Sequence, residues 1–193
     1  MAQQVSSSNF GSSIIYEDRL PLKVERYAGE PENGELLRIG QQNEEVLRMV
    51  MSLDDVASTN KNDDSERNSD VQRLEFKVNL ILDMLGELYS QNSNLPESTP
   101  IKLGAYAASW MIAETESPPA LNDYVALNIY LTRRYPRPLV LFAQVVNVSE
   151  CETGEKWVDV DLLSMPPQTL DALERFVFRQ HRRFVAFSRR QSN

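Results

Sequence analysis

Val71, Leu74, Val78, Ile81, Leu85 and Leu88 recur on alternating three- and four-residue steps. That is a heptad seam, with Val71, Val78 and Leu85 at a and Leu74, Ile81 and Leu88 at d. A stripe so narrow does not make a globular core; a partner helix completes it. A second seam precedes it, through Leu36, Ile39, Asn43, Val46, Val50, Leu53 and Ala57. Asn43 at a seam position sets register at a cost in stability, unless the seam slips and Leu47 faces inward instead. The middle of the chain is thus expected to form two long helices built to pair, the first from Glu35 to about Val56 and the second ending near Tyr89. Gly86 inside the second costs about 1 kcal/mol relative to Ala. The polar run 58–70 between them is either a loop joining antiparallel helices or, through Ser65 as an N-cap, an early start of the second helix.

Outside this region the period changes from 3.5 to 2. Ile14 to Tyr27 is an extended segment, and Pro21 inside it suggests an edge strand or a strand entry. Ile101 to Ile112 is expected as one strand. Tyr124 to Leu131 alternates cleanly, Leu139 to Val148 is more continuously apolar, and Glu152-Thr153-Gly154 turns the chain into Trp157 to Leu163. Ser164-Met165-Pro166-Pro167 then opens a final helix, whose buried stripe is Leu170, Leu173 and Val177. Short antiparallel strands at hairpin spacing suggest a small barrel or half-barrel.

Charge narrows the function classes. The net charge of -8 argues against a nucleic-acid binder. Positive charge gathers in 175–190, where Arg175, Arg179, Arg182, Arg183, Arg189 and Arg190 occur with no acid. The single Cys, Cys151, excludes an intrachain disulfide and suits a reducing compartment. The N-terminus lacks the basic and apolar regions of a signal peptide, and the best apolar run, Pro138 to Val146, is too short to span a bilayer. These features lead to the expectation of a cytoplasmic protein without membrane insertion.

Catalytic residue types are scarce. The one His, His181, lies among arginines, and Cys151 sits at a turn between Glu150 and Glu152, which disfavours a thiolate. Two such residues cannot make a zinc site. Asp159 and Asp161 share a strand face and are read as solvent-facing rather than as a cation site. No phosphate-binding glycine loop is present. The chain is expected to be no enzyme and to hold no cofactor or metal. Arg175, Arg179 and Arg183 stand four apart on one helix face. They are either a solvated face complementing the helix dipole or a surface for an acidic partner. Tyr130 to Arg137 (YLTRRYPR) is a basic, aromatic hairpin tip.

The stretch from Ile101 to about Arg183 resembles a PilZ domain, through IKLGAYAASW, VALNIYLTRRYPRPLVLFAQVVNV, KWVDVDLL and LDALERFVFRQHRR. The earlier RLPLKVE resembles the strand preceding this domain in many members. The resemblance implies a small antiparallel β-barrel with a closing helix and, for typical members, a receptor for cyclic di-GMP. Typical members use an RxxxR motif before the barrel and a [DN]xSxxG motif on the first long strand. Here Lys102 stands for the acid or amide, Gly104 for the Ser and Ala107 for the Gly, while Tyr106 adds bulk. Pro96, Glu97 and Ser98 stand where an RxxxR would precede the barrel. The RxxxR spacings Arg175–Arg179 and Arg179–Arg183 fall in the closing helix and take no ligand role.

The expectation is therefore an α+β chain: a disordered tail (1–13), an opening barrel strand (14–28), a helical oligomerisation insertion (29–95), and a PilZ-like barrel with a C-terminal helix (96–193). It would act as a non-catalytic scaffold or signalling adaptor, assembled with itself, a tetramer favoured, through the two seams and contacting an unidentified protein partner. Nucleic acid and cyclic di-GMP are not expected as ligands. The rival is a cyclic di-GMP receptor using a degenerate site, with cations from Arg133, Arg134 and Arg137 or from the closing helix.

Overall fold

The computed structural model describes residues 14–59, 68–92, 95–151 and 154–191. The tail 1–13, the capping position Ser65 and the turn residues Glu152 and Thr153 lie outside the described residues. The element order is β1 (Tyr16–Tyr27), α1 (Asn33–Thr59), α2 (Asn68–Asn92), β2 (Ser98–Leu103), β3 (Ala107–Ile112), β4 (Tyr124–Ile129), β5 (Leu139–Glu150), β6 (Lys156–Leu162) and α3 (Pro167–Gln191).

The six strands close into an antiparallel barrel in the order β1-β2-β3-β6-β5-β4. Closure depends on β1 serving two neighbours. Tyr16 to Pro21 pair with β2, and Leu22 to Tyr27 pair with β4. Pro21 sits where the strand changes partner, so it marks a bend inside the barrel and not the expected free edge. The stretch Ile101–Ile112 is two strands rather than one. It folds back at Ala105-Tyr106, where the Gly104 N–H donates to the Ala107 carbonyl at 2.9 Å and Leu103 faces Ala108 across the ladder. Alternation continues on both sides of this short turn, so periodicity alone could not reveal it.

The inward residues of every strand meet in one core, including Ile101, Leu103, Trp110, Leu127, Leu141, Val145, Val158 and Val160. Leu173, Phe176 and Val177 of α3 close it from one side. The helix α1 belongs to the same core. Val46, Leu47 and Val50 are buried among the barrel residues, and Ile39 packs with Ala126 and Phe142, with Leu36 against them. Both Asn43 and Leu47 face inward. The first seam is therefore wider than a coiled-coil stripe, because an extra apolar residue beside a and d suits a barrel wall better than a single helix. Leu36, Ile39, Val46 and Val50, expected at an interface between copies, are satisfied within one chain, and Leu53 is half-buried. The region 29–95 is thus not a single inserted unit: its first helix is part of the barrel's packing.

The helices α1 and α3 run side by side in the same direction. Near their starts Gly40 approaches Pro166, and the Thr169 hydroxyl donates to Glu44. Further along, Gln180 donates to Asp54 and Arg183 pairs with the same carboxylate at 2.6 Å. A Cβ on Gly40 would lie 2.8 Å from the Pro166 ring, so the glycine is what lets the helices approach.

Candidate functional site

The helix α2 differs from every other element in having almost nothing to pack on. Val71, Leu74, Val78, Ile81, Leu85 and Leu88 are between 47% and 63% exposed. Among its described side chains Asn79 and Leu82 are half-buried, and Gly86 is buried. There the helix backbone lies so close to the β4–β5 connection that a Cβ on Gly86 would come within 2.6 Å of the Arg133 carbonyl oxygen. The glycine that weakens the helix intrinsically is the residue that docks it.

Phe76, Leu80 and Met84 are exposed as well. They stand at i, i+4 and i+8, on heptad positions f, c and g, away from the a/d seam. The seam dominated the pattern and this second stripe was missed, although the same four-residue spacing carries it in the sequence.

The positions corresponding to the cyclic di-GMP motif straddle the β2–β3 turn. Lys102 pairs across the ladder with Glu17 and Ser109, and its ammonium lies 4.8 Å from the Trp157 ring centre, a cation–π contact. Gly104 and Ala107 close the turn. The Tyr106 hydroxyl donates to Glu174 of α3 at 3.1 Å, and this bond to a carboxylate raises the phenol above its ordinary pKa. Beside the turn is a groove of about 510 Å³, lined by Ile14, Ala105, Tyr106, Val177 and Phe178 with Asp171, Glu174 and Arg175. Arg175 is paired with Asp171 at 2.7 Å, so the groove holds no surplus of positive charge for a phosphate.

The arginine row on α3 is divided. Arg175 bonds within its own helix, while Arg183 reaches both the carboxylate and the backbone carbonyl of Asp54 on α1. Arg179 is half-buried. Arg137, of the hairpin-tip group, pairs with Glu45 at 3.2 Å. His181 Nδ1 lies 2.9 Å from the Ile15 carbonyl and ties α3 to the entry of β1. Asp159 is not on a solvent face. It is buried and accepts hydrogen bonds from Ser109 at 2.5 Å and Asn147 at 3.0 Å, its cross-strand neighbours on either side. Among the described residues no cluster of His, Cys, Asp and Glu could hold a metal ion, and no helix is long and apolar enough to cross a membrane.

A family model described as "Atypical PilZ domain, cyclic di-GMP receptor" matches residues 47–190. This chain is an atypical PilZ domain protein. The match begins inside α1, in keeping with that helix being part of the barrel's core. A solved structure of a pathogenic protein from Xanthomonas campestris, described as a tetrameric PilZ domain self-assembled via an unusual helical bundle, superposes with a TM-score of 0.70. It is 22% identical, over 92% of this chain and 93% of that one, and shows the atypical PilZ fold with its helices. The Bacillus subtilis inhibitor of motility is more distant, with a TM-score of 0.37 and 14% identity over 43% of this chain and 41% of that one. No curated protein matches.

Proposed function

We propose that this atypical PilZ protein is a non-catalytic signalling adaptor that assembles into a tetramer through α2 and acts by contact with another protein. The observation that carries the reading is the exposed heptad seam of Val71, Leu74, Val78, Ile81, Leu85 and Leu88 on a helix the barrel does not cover. Fully burying one such side chain is worth roughly 1.5–3 kcal/mol, so six per copy can offset the entropy lost on association. The self-assembly by a helical bundle described for the Xanthomonas campestris protein supports the same arrangement here. The cytoplasm is the compartment in which such an adaptor would work.

Static light scattering tests it. The intact chain is expected to have four times the chain mass. Ile81→Asp with Leu85→Asp places carboxylates in the bundle, where burial is costly, and is expected to release single chains that keep the barrel's circular dichroism. A wild-type monomer, or a double variant that keeps the full assembled mass, overturns the reading.

A second reading, a cyclic di-GMP receptor with a non-standard site, has the family description in its favour. One further feature favours it: a groove of about 610 Å³ whose walls include Arg19, Lys23 and Arg26 of β1. The same walls carry Glu97, Glu116 and Glu155. Arg19 and Arg26 are held to the backbone carbonyls of Ser98 and Pro118, and Lys23 to Glu25. With those cations engaged and the standard motif positions altered, adaptor function without the dinucleotide is the better supported reading.

A further inference from the structure

The groove of about 510 Å³ beside the β2–β3 turn has two firm walls. One is the turn itself. The Tyr106 carbonyl accepts from the Leu162 N–H of β6 at 2.8 Å, and the Tyr106 hydroxyl is tied to Glu174 of α3. The other wall is α3, which presents Asp171, Glu174, Arg175 and Phe178. Each wall exposes an aromatic ring, Tyr106 at 60% and Phe178 at 48%.

The chain enters this groove at Ile14. Tyr16 pairs antiparallel with Leu103, so the residues before Tyr16 run on past Gly104 toward the Ala105-Tyr106 turn. Ile14 accordingly lines the groove with Ala105 and Tyr106. On the other wall, His181 holds the Ile15 carbonyl, and Phe178 and Glu174 lie one and two turns back along α3 on that face. Strand register and helix contact thus agree on the direction in which the chain leads away from Ile14: along the groove, toward the start of α3. The sequence ahead of Ile14 suits such a course. Phe10 is the one aromatic residue in 1–13, and that stretch carries no acidic side chain. Four extended residues span at most about 14 Å, while Phe178 to Asp171 covers about 10 Å of helix. Phe10 therefore reaches the whole length of the groove. Asn9, Ser12 and Ser13 supply hydrogen-bond donors to walls that carry Asp171 and Glu174.

We propose that residues 9–13 of the chain dock in this groove, with the Phe10 ring against Tyr106, Val177 and Phe178. Burial of apolar surface drives the contact, and the short tether to Ile14 raises the local concentration of the segment. The groove is then blocked by the chain itself: an outside peptide reaches Tyr106 and Phe178 only by displacing Phe10. The contact forms within one chain and does not depend on the α2 assembly.

Disulfide trapping in the full chain tests this. In a Cys151→Ser background, protein carrying Asn9→Cys and Arg175→Cys is oxidised, and the products are separated on a denaturing gel. A disulfide within the chain is expected, and adding Phe10→Ser or Phe178→Ser is expected to slow its formation about tenfold or more. Neither addition changes the length of the tether, so a segment that only samples the surface cross-links at an unchanged rate, and that result overturns the docking. A disulfide found only between chains also overturns it and makes a neighbouring copy's segment the occupant. A second measurement leaves Arg175 in place. Phe10→Ser alone is expected to shift the nuclear magnetic resonance signals of the Val177 methyl groups, which line the groove. Methyl signals that do not move overturn the proposal.

Discussion

The side chain of Asn43 pairs with the peptide unit of Val140 in both directions. Its Nδ2 donates to the Val140 carbonyl at 2.7 Å, and its Oδ1 accepts from the Val140 N–H at 2.9 Å. Val140 faces Asn128 of β4, but its own polar groups point the other way, where β6 does not yet run alongside: that pairing begins at Ala143. The helix amide thus takes the place of a missing strand, and an apparent flaw in the α1 seam completes the barrel's hydrogen bonding.

Replacing Asn43 by Ala would leave both half-buried Val140 groups without their partner. At up to about 1–3 kcal/mol for each such group, a loss of up to roughly 2–6 kcal/mol is expected in urea unfolding. Asn43→Asp keeps the acceptor and sets a carboxylate against the Val140 carbonyl, so it should not rescue. Unchanged stability in Asn43→Ala would show that this pairing is dispensable.

At Gly86 two principles predict opposite signs. Helix propensity makes Gly86→Ala stabilising by about 1 kcal/mol. The 2.6 Å approach to the Arg133 carbonyl makes it disruptive, because backbone cannot step aside cheaply. Loss of α2 docking is expected, seen as faster amide exchange in residues 79–88 with the barrel unaffected.

The buried Asp159 holds two donors at once. Asp159→Ala should leave the Ser109 hydroxyl and the Asn147 amide without their acceptor, at a cost of about 1–3 kcal/mol for each that stays dry. Asp159→Asn, which retains one acceptor oxygen, should lose less. Equal losses by thermal unfolding would mean that volume, not hydrogen bonding, matters at this site.

The Tyr106–Glu174 bond gives a pH signature. The Tyr106 phenol is raised by that bond, so the folded state keeps its proton where the unfolded chain has released it. Its contribution to stability is intact below the ordinary tyrosine pKa and is lost as pH rises through the folded value. Ultraviolet titration, compared with Tyr106→Phe, should place this phenol above the ordinary range, and Glu174→Gln should bring it back down.

Titration calorimetry with cyclic di-GMP is expected to give only heats of dilution. The groove beside the altered motif presents Asp171 and Glu174, and its one arginine is already paired with Asp171. Micromolar binding would promote the second reading, and its loss on Arg19→Glu or Arg26→Glu would locate the site on β1.

Much of the architecture was legible in local patterns. Period-two alternation in Val125, Leu127 and Ile129 marked a strand with one buried face, and the 3,4 spacing from Val71 to Leu88 marked a helix. The motif substitutions at Lys102, Gly104 and Ala107 were also plain from residue identity alone. These features repeat over a few residues, so a linear chain displays them directly.

What a stripe packs against is not local. The two seams look alike in the sequence, yet Val46 and Val50 are buried on the chain's own barrel while Val78 and Ile81 are exposed. That difference depends on which face closure of the barrel leaves uncovered. It also depends on Gly40 letting α1 approach α3 while Gly86 brings α2 against Arg133. The sequence by itself determined that two apolar helix stripes must be buried. Only the tertiary structure decided which is buried within the chain, because that choice is made by contacts between residues far apart in sequence: Asn43 with Val140, Asp54 with Arg183, and Gly86 with Arg133.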